Sequence, residues 1–257
     1  ARRSGSYVMD ASLHFDCLVR LADDHMILGH RLSEWCGHAP MLEEDLALPN
    51  IALDLLGQAR IRYDHAGKIE GKGRNEDQLA YLRLERDYRN LLLCERPIGD
   101  FGHTVLRQFY FASFMGLYWS ECQNSNDQIL REVAAKAIKE CAYHIRHTGE
   151  WVIRLGDGTD ESHQRMQNAV ADLAPYVGEM FHMDETSQQG ASAGLIPDVS
   201  KLAATWHAQV APVLAEATLE TIEVKPILGG RSGQHGEEMG FLLTDLQFMQ
   251  RTFQNMT

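Results

Sequence analysis

Acidic and imidazole side chains at helical spacing are the residues of this chain that could do chemistry together. Glu140, His144 and His147 recur at i, i+4 and i+7, so a helix through them would carry one polar column. Glu34 could approach this column from an earlier helix. Carboxylates and imidazoles that project between facing helices are the ligands of di-metal sites in helical bundles. The column therefore indicates either an acidic or metal-binding pocket, or a hydrogen bond between Glu140 and His144 that stabilises a bundle interior.

A second polar column lies within the apolar stretch from residue 46 to residue 61. Asn50, Asp54 and Gln58 recur every four residues there, which places them on one side of a helix. Such a column is typical of a metal-binding or catalytic bundle interior, of a hydrogen-bonded structural network, or of a face that contacts a partner.

A complete di-metal bundle takes one Glu from each of two helices and a Glu-x-x-His pair from each of the other two. Asp54 is followed three residues later by Gly57, which has no ligand atom, and Cys141 stands where a carboxylate should precede His144. We therefore predict that the chain has no catalytic or cofactor-binding residue and holds no stoichiometric iron, manganese or zinc. The weak candidates for a vestigial metal site are Glu34, Asp54, Glu140 and His144.

Two further sets of reactive side chains have ordinary structural interpretations. Three acid-x-x-His matches lie near predicted helix ends, where capping and surface pairing are expected: Asp100/His103, Asp160/His163 and Glu179/His182. The five cysteines form no Cys-x-x-Cys pair, which argues against a disulfide framework or a zinc cluster and fits a reducing cytoplasm. Nothing in the sequence places a base beside Cys36, Cys94 or Cys141, so a buried thiol is the expected role of each.

Long amphipathic helices must position these residues. Helical periodicity predicts a helix from Ala11 to Trp35, a turn at Gly37 to Pro40, and a long second helix whose apolar residues run through Ile61. The remaining predicted helices cover residues 79–95, 103–122, 129–155, 160–182, 199–219 and 237–253, with a surface connection at 67–78 and a polar loop at 184–194. No alternating strand pattern is present. The expected class is all-α, a ferritin-like four-helix bundle with additional C-terminal helices.

Two of these helices are unusually apolar. The aromatic residues between 109 and 119 could line a substrate tunnel, but at helical spacing they are more often core. The apolar residues of the second helix cover so much of its circumference that we expect burial on more than one side: Leu46, Leu48, Ile51, Leu53, Leu55, Leu56, Ala59 and Ile61.

Composition limits the class of partner. The 257 residues carry a formal net charge of -12, which argues against nucleic acid or an anionic membrane as a partner because both require basic surfaces. No apolar run approaches the roughly 20 residues that a membrane-spanning helix needs. We expect a single domain over residues 9–257, with residues 1–8 as an extension left by cloning.

Three long stretches of this sequence carry a family resemblance. They are RLSEWCGHAPMLEEDLALPNIALDLLGQAR, AAKAIKECAYHIRHTGEWVIRLGDGTDESHQRMQ and HGEEMGFLLTDLQFMQR, which begin at residues 31, 134 and 235. The chain resembles the family of structural (C) subunits of the bacterial ring-1,2-phenylacetyl-CoA epoxidases, which are multicomponent di-iron monooxygenases of phenylacetate catabolism. The resemblance covers nearly everything after Met9.

The resemblance implies a ferritin-like subunit in a cytoplasmic hetero-oligomer. A related A subunit would carry the di-iron site, and a reductase subunit with flavin and an iron-sulfur cluster would deliver electrons from NADPH for epoxidation of the aromatic ring. This chain would then support the catalytic A subunit, contact other subunits of the complex, and form a homodimer in isolation. The alternatives are a self-sufficient di-metal carboxylate oxygenase and a homo-oligomeric helical binding protein.

Overall fold

The computed structural model describes residues 10–253, so the predicted extension at residues 1–8 lies outside the described residues. Helices and their connections account for that range, and no strand occurs within it. The helices are α1 (Ala11–Ser33), α2 (Leu42–Glu70), α3 (Glu76–Tyr81), α4 (Leu92–Glu95), α5 (Phe101–Cys122), α6 (Gln128–Gly156), α7 (Asp160–Val177), α8 (Glu185–Ser192), α9 (Ala203–Glu216) and α10 (Glu237–Thr252). None of these helices is long and apolar enough to cross a membrane. The predicted all-α class is confirmed.

Two helical hairpins, α1–α2 and α5–α6, form the ferritin-like bundle. The first hairpin turns at Gly37, whose φ of +79° is a conformation that favours glycine. The Gly37 N–H donates to the carboxylate of Asp45 at 2.6 Å, which ties the turn to the start of α2. The second hairpin turns between Cys122 and Asp127, and the Asp127 carboxylate caps α6 by accepting the Leu130 N–H at 3.0 Å.

The bundle interior is a continuous apolar core that includes the aromatic residues of α5. Phe109, Phe111, Phe114 and Trp119 are each at most 2% exposed. They therefore serve as core, which was the more ordinary of the two interpretations offered by the sequence. The remaining helices cover this bundle, because α7 packs on α5 and α6, α8 packs on α1, and α9 packs on α6.

The predicted helix over residues 79–95 is wrong. Only its two ends are α-helical, in α3 and α4, and the chain between them is mostly extended around one 3-10 turn at Glu85–Asp87. The reason is a buried ion pair, since Arg83 reaches the carboxylate of Asp23 on α1, with Nη1 3.1 Å from Oδ2. Asp23 also accepts the Arg89 N–H at 2.8 Å. These contacts give polar groups of the segment their hydrogen-bond partners, although the segment is not helical.

Two predicted connections are also partly helical. α2 continues to Glu70, and α3 begins within the predicted connection at a capping box formed by Asn75 and Gln78. The predicted loop at 184–194 contains α8, which Asp184 caps by accepting the Ser187 N–H at 2.9 Å. Arg20 on α1 donates to the same Asp184 carboxylate at 2.8 Å, so a contact across the fold supports this polar helix.

A buried carboxylate, that of Glu179, hydrogen-bonds to the chain that precedes α10. Glu179 is 2% exposed and accepts the backbone N–H groups of Leu92, Gly229 and Gly230 at 2.7 to 2.9 Å. A Cβ at Gly230 would lie 2.1 Å from the carbonyl oxygen of Asn90, so only glycine allows this close approach.

Candidate functional site

The polar columns predicted on α2 and α6 meet along one seam of the bundle. His144 on α6 places its Nε2 3.0 Å from Oδ2 of Asp54 on α2. One turn away, Gln58 donates its side-chain N–H to Oε2 of Glu140 at 2.6 Å. The structure therefore brings Asp54 and His144 together, as it does Gln58 and Glu140. We name this set of four residues the α2–α6 seam.

The seam forms pairs between helices, not within α6. The expected hydrogen bond between Glu140 and His144 is not formed, because each side chain finds its partner on the facing helix. The His144 side chain is 1% exposed, whereas the Asp54 side chain is 37% exposed and open to water. Lys136 adds an ion pair to Glu140, with an N to O distance of 3.1 Å. Every carboxylate of the seam thus already has a protein partner.

The contacts between α2 and α6 continue at a carboxylate that the sequence analysis did not single out as a site residue. Glu44 in the first turn of α2 is 3% exposed. Its two oxygens contact His147 Nε2 at 3.0 Å and accept the Trp151 indole N–H at 2.8 Å. The apolar periodicity before residue 46 did not indicate that a carboxylate so near the helix start would be buried. Asn50, the first residue of the predicted column, is exposed.

Glu34 does not join the seam. It follows the last residue of α1 as its C-cap, and its carboxylate accepts a hydrogen bond from Nη1 of Arg31 at 2.7 Å. Arg31 also donates to the carbonyl oxygens of Glu95 and Glu238, which holds the pair toward α4 and α10. Of the four candidates for a vestigial metal site, the structure therefore places Asp54, Glu140 and His144 on one seam and leaves Glu34 outside it.

The acid-x-x-His matches serve structural roles. Asp100 caps α5 and accepts from the His103 backbone at 2.9 Å, while the His103 imidazole lies between the carboxylates of Asp100 and Asp172. Burial lowers the pKa of His103, but the two carboxylates outweigh it and hold that pKa above its usual value. His163 contacts the carbonyl oxygen of Gly156 at 2.8 Å, at the end of α6.

The cysteines split into buried thiols and one exposed thiol. Burial raises the pKa of Cys141 to about 12 and that of Cys94 well above its usual value, so both remain thiols at neutral pH. Cys36 lies in the turn between α1 and α2 and is exposed, which differs from the expected burial. No reactive thiolate is indicated at Cys94 or Cys141.

A buried cation lies in the bundle interior near the seam. Arg62 on α2 is fully buried, and its guanidinium stacks over the Trp119 ring at 5.1 Å from the ring centroid. None of its three nitrogens has a hydrogen-bond partner among the described residues. Burial lowers the pKa of Arg62 to about 10. The sequence analysis did not single out Arg62, because an arginine in an otherwise apolar helix ordinarily extends its charged end to solvent.

A histidine–carboxylate cluster at one end of the bundle was also missed. His14 on α1 and His65 on α2 both direct Nε2 to Oδ2 of Asp127, the capping residue of α6. The ligand atoms of these three residues all lie within 4.8 Å of one another. No spacing rule could have found the cluster, since His14 and His65 lie on different helices and Asp127 precedes a third.

The outer face of α2 contradicts the prediction of burial on more than one side. An apolar stripe runs along its solvent side, with exposed fractions of 71% at Leu42, 60% at Leu46, 66% at Leu53 and 44% at Ile61. Gly57 lies in the same stripe, and a Cβ built there would meet nothing within 4 Å. Apolar residues therefore occur on two sides of α2. One side meets the core, and the other meets solvent in the isolated chain. We name the exposed residues Leu42, Leu46, Leu53, Gly57 and Ile61 the α2 stripe.

A second exposed apolar face lies on α10. Phe241, Phe248 and Met249 are 67%, 60% and 61% exposed. α3 packs against both α2 and α10. Exposed apolar surface of this extent is typical of a protein–protein interface.

Comparisons with known proteins agree with this architecture. A family model described as Phenylacetic acid catabolic protein matches residues 8–257. The chain is 43% identical over 234 residues to a protein of Escherichia coli (strain K12) that is named as the C subunit of 1,2-phenylacetyl-CoA epoxidase. That alignment covers 91% of this chain and 94% of the relative.

Proposed function

This chain belongs to the phenylacetic acid catabolic protein family, and we propose that it is a structural, non-catalytic subunit of a multicomponent monooxygenase that epoxidises the aromatic ring of phenylacetyl-CoA. The Escherichia coli relative is named as the C subunit of such an epoxidase, which supports the assignment to this complex. In this proposal a related A subunit holds the di-iron centre, and a reductase subunit supplies electrons from NADPH through flavin and an iron-sulfur cluster.

The chemistry of the α2–α6 seam supports a non-catalytic role. Gly57 and Cys141 offer no imidazole or carboxylate at the positions where Glu-x-x-His pairs would need them. Asp54 and His144 bond to each other, which leaves neither carboxylate oxygens nor imidazole nitrogens converging on two ions. The interior near Trp119 contains the guanidinium of Arg62.

The α2 stripe is the single observation that carries the proposal. A helix of a self-sufficient bundle would turn a polar side to solvent, whereas α2 presents Leu46 and Leu53 there with more than half of each side chain's surface exposed. Covering a side chain of this size contributes about 1.5 to 3 kcal/mol when burial is complete. We therefore assign the α2 stripe to the A subunit. The α10 face remains for other subunits of the complex or for a second copy of this chain.

Gly57 allows a clean test of this interface. Because nothing lies within 4 Å of a Cβ at this position, Gly57→Trp should fold normally and project an indole into the docking surface. A matched control is Ala171→Trp, since Ala171 is also an exposed helical position but lies on α7. Leu53→Glu tests the same stripe by placing a charge in it.

The experiment is co-expression with the A subunit, followed by affinity capture, metal analysis and turnover measurements. We expect Gly57→Trp and Leu53→Glu to abolish capture of the A subunit and to lower ring epoxidation in proportion, whereas Ala171→Trp retains both. Iron in the captured complex should follow the A subunit. Two iron atoms per chain in this protein alone, or epoxidation without the A subunit, would establish a self-sufficient enzyme and overturn the proposal.

A further inference from the structure

The cluster of His14, His65 and Asp127 is separate from the α2–α6 seam. His65 is displaced from Asp54 by about 16 Å along α2, at 1.5 Å per residue. His14 lies in the first turns of α1, His65 in the last turns of α2, and Asp127 at the start of α6. The cluster therefore joins the α1–α2 hairpin to the α5–α6 hairpin at one end of the bundle.

The carboxylate of this cluster is fixed in place. Its side chain is 2% exposed, and its Oδ1 accepts the Leu130 N–H at 3.0 Å, which leaves Oδ2 for the two imidazoles. The Asp127 N–H donates to the Ser125 hydroxyl at 3.1 Å. Carboxylates that bind metals are ordinarily oriented by such neighbouring donors. The His14 and His65 side chains are 12% and 21% exposed, so the cluster lies close to the protein surface.

The donor set matches a divalent transition cation. Two imidazole nitrogens and one carboxylate oxygen on a common point form the two-histidine, one-carboxylate arrangement that binds zinc, iron and related ions. Ligand atoms around zinc stand about 3.4 Å apart, because zinc–nitrogen and zinc–oxygen bonds are about 2.0 to 2.2 Å long. The separation of His65 Nε2 and Asp127 Oδ2 is 2.8 Å, so a small rotation of the imidazole makes room for the ion.

We propose that His14, His65 and Asp127 form a zinc site that fastens the two hairpins of the bundle to each other, with water in the remaining coordination position. This site goes beyond the structural role proposed above and does not depend on it. It also revises the sequence-based expectation that the chain holds no zinc, which remains our prediction for the α2–α6 seam. The ligands come from α1, α2 and the capping residue of α6, so a bound ion opposes separation of the two hairpins.

The same residues could instead form a metal-free network in which each neutral imidazole donates Nε2–H to Asp127. Replacement of His14 or His65 by glutamine distinguishes the two cases. The glutamine side-chain N–H can still donate to the carboxylate, but its amide is a poor zinc ligand. Asp127→Asn is the matching change at the carboxylate, because asparagine caps helices about as well as aspartate but lacks the charge. His207→Gln is the control, as His207 is an exposed histidine on α9.

The experiment uses the full chain, purified without a metal-affinity column and treated with a chelator. Zinc is titrated calorimetrically, cobalt(II) binding is followed by its visible absorption, and melting is measured with and without zinc. We expect one zinc per chain and a melting temperature about 5 to 10 °C higher when free zinc exceeds the dissociation constant 100-fold. His14→Gln, His65→Gln and Asp127→Asn should each weaken zinc binding at least tenfold and lose the shift, while His207→Gln keeps both.

Two results would overturn the zinc site. One is the absence of saturable binding at one ion per chain. The other is unchanged zinc affinity in the His14→Gln/His65→Gln double variant, which would place any binding at other histidines. Since the glutamine variants keep a donor for Asp127, their metal-free melting temperatures provide the check that loss of zinc binding is not loss of folding.

Discussion

His144 and Asp54 form a pair in which the imidazole is buried and the carboxylate is partly exposed. This difference in burial determines the effect of removing either residue. The His144 imidazole is 1% exposed, so its N–H loses its protein acceptor when Asp54 is removed. A buried donor left without a partner costs about 1 to 3 kcal/mol. We predict that Asp54→Ala lowers the unfolding free energy of the isolated chain by this amount, measured by chemical denaturation. Replacement of both residues by leucine should recover much of the loss.

Alanine variants of the α2–α6 seam distinguish a structural role of these residues from a catalytic role. Turnover per assembled complex should be unchanged by Asp54→Ala, by Glu140→Ala and by His144→Ala, although each lowers the melting temperature. Loss of epoxidation in a fully assembled complex, with melting intact, would contradict the structural interpretation of the α2–α6 seam.

A buried histidine makes stability depend on pH. His235 places Nδ1 2.7 Å from Oε2 of Glu95, and both side chains are fully buried. Burial lowers the pKa of His235, but the hydrogen bond and charge of Glu95 outweigh burial and hold that pKa above its usual value. Because the folded-state pKa exceeds the unfolded value of about 6.5, the stabilisation is complete below about pH 6.5 and is lost as pH rises through the raised pKa.

We therefore predict that His235→Gln costs more stability in acid than in base. The difference in unfolding free energy between the natural chain and the variant should be largest near about pH 6 and should decrease by about pH 9. Denaturant titrations at several pH values measure it. A difference that does not change with pH would show that folding does not raise the pKa of His235, and would contradict the prediction.

At the scale of elements, the segment between α3 and α4 shows how a tertiary contact overrides helical periodicity. Arg83 and Asp23 are both buried, and Asp23 is fully enclosed. Arg83 also stacks on Tyr88, with its guanidinium carbon 4.2 Å from the ring centroid. Breaking a buried ion pair by removing one member costs about 3 to 5 kcal/mol, because the other charge is left without compensation.

We predict that Arg83→Met destabilises the chain by about that amount, measured by denaturant unfolding. Arg86→Met is the matched control, since Arg86 is exposed in the same segment and should change stability by no more than about 0.5 kcal/mol. Equal losses in the two variants would mean that the segment is held by its backbone conformation and not by the pair with Asp23.

These elements also show which parts of the molecule the sequence could predict. α1, α5 and α6 follow from apolar periodicity alone, and Asp54 and His144 could be suspected because spacings of four residues are local information. The extended chain at Arg83 depends on Asp23, which lies 60 residues away. Likewise, His14, His65 and Asp127 converge only after both hairpins have packed. Periodicity also cannot tell whether an apolar face such as Leu53 meets the core or a partner.

At the scale of the whole molecule, acidic charge and exposed apolar surface occur together. The formal net charge of -12 opposes non-specific association and favours solubility. The α2 stripe and the α10 face nevertheless leave large apolar side chains in water. A chain with both properties is suited to association with a specific complementary surface, because charge opposes non-specific association.

The composition of these faces predicts how the complex responds to salt and dilution. An interface built on Leu46, Leu53 and their neighbours should bury more than roughly 2,000 Å² in total, the range of obligate complexes. Association through apolar area is not screened by salt, whereas exposed ion pairs are weakened beyond a Debye length of about 10 Å at 0.1 M. We predict that the pair with the A subunit elutes as one species on a sizing column at about micromolar concentration, in low salt and in about 1 M salt alike. Dissociation on dilution, or on raising the salt concentration, would indicate a smaller and electrostatic interface and would argue against the α2 stripe as its centre.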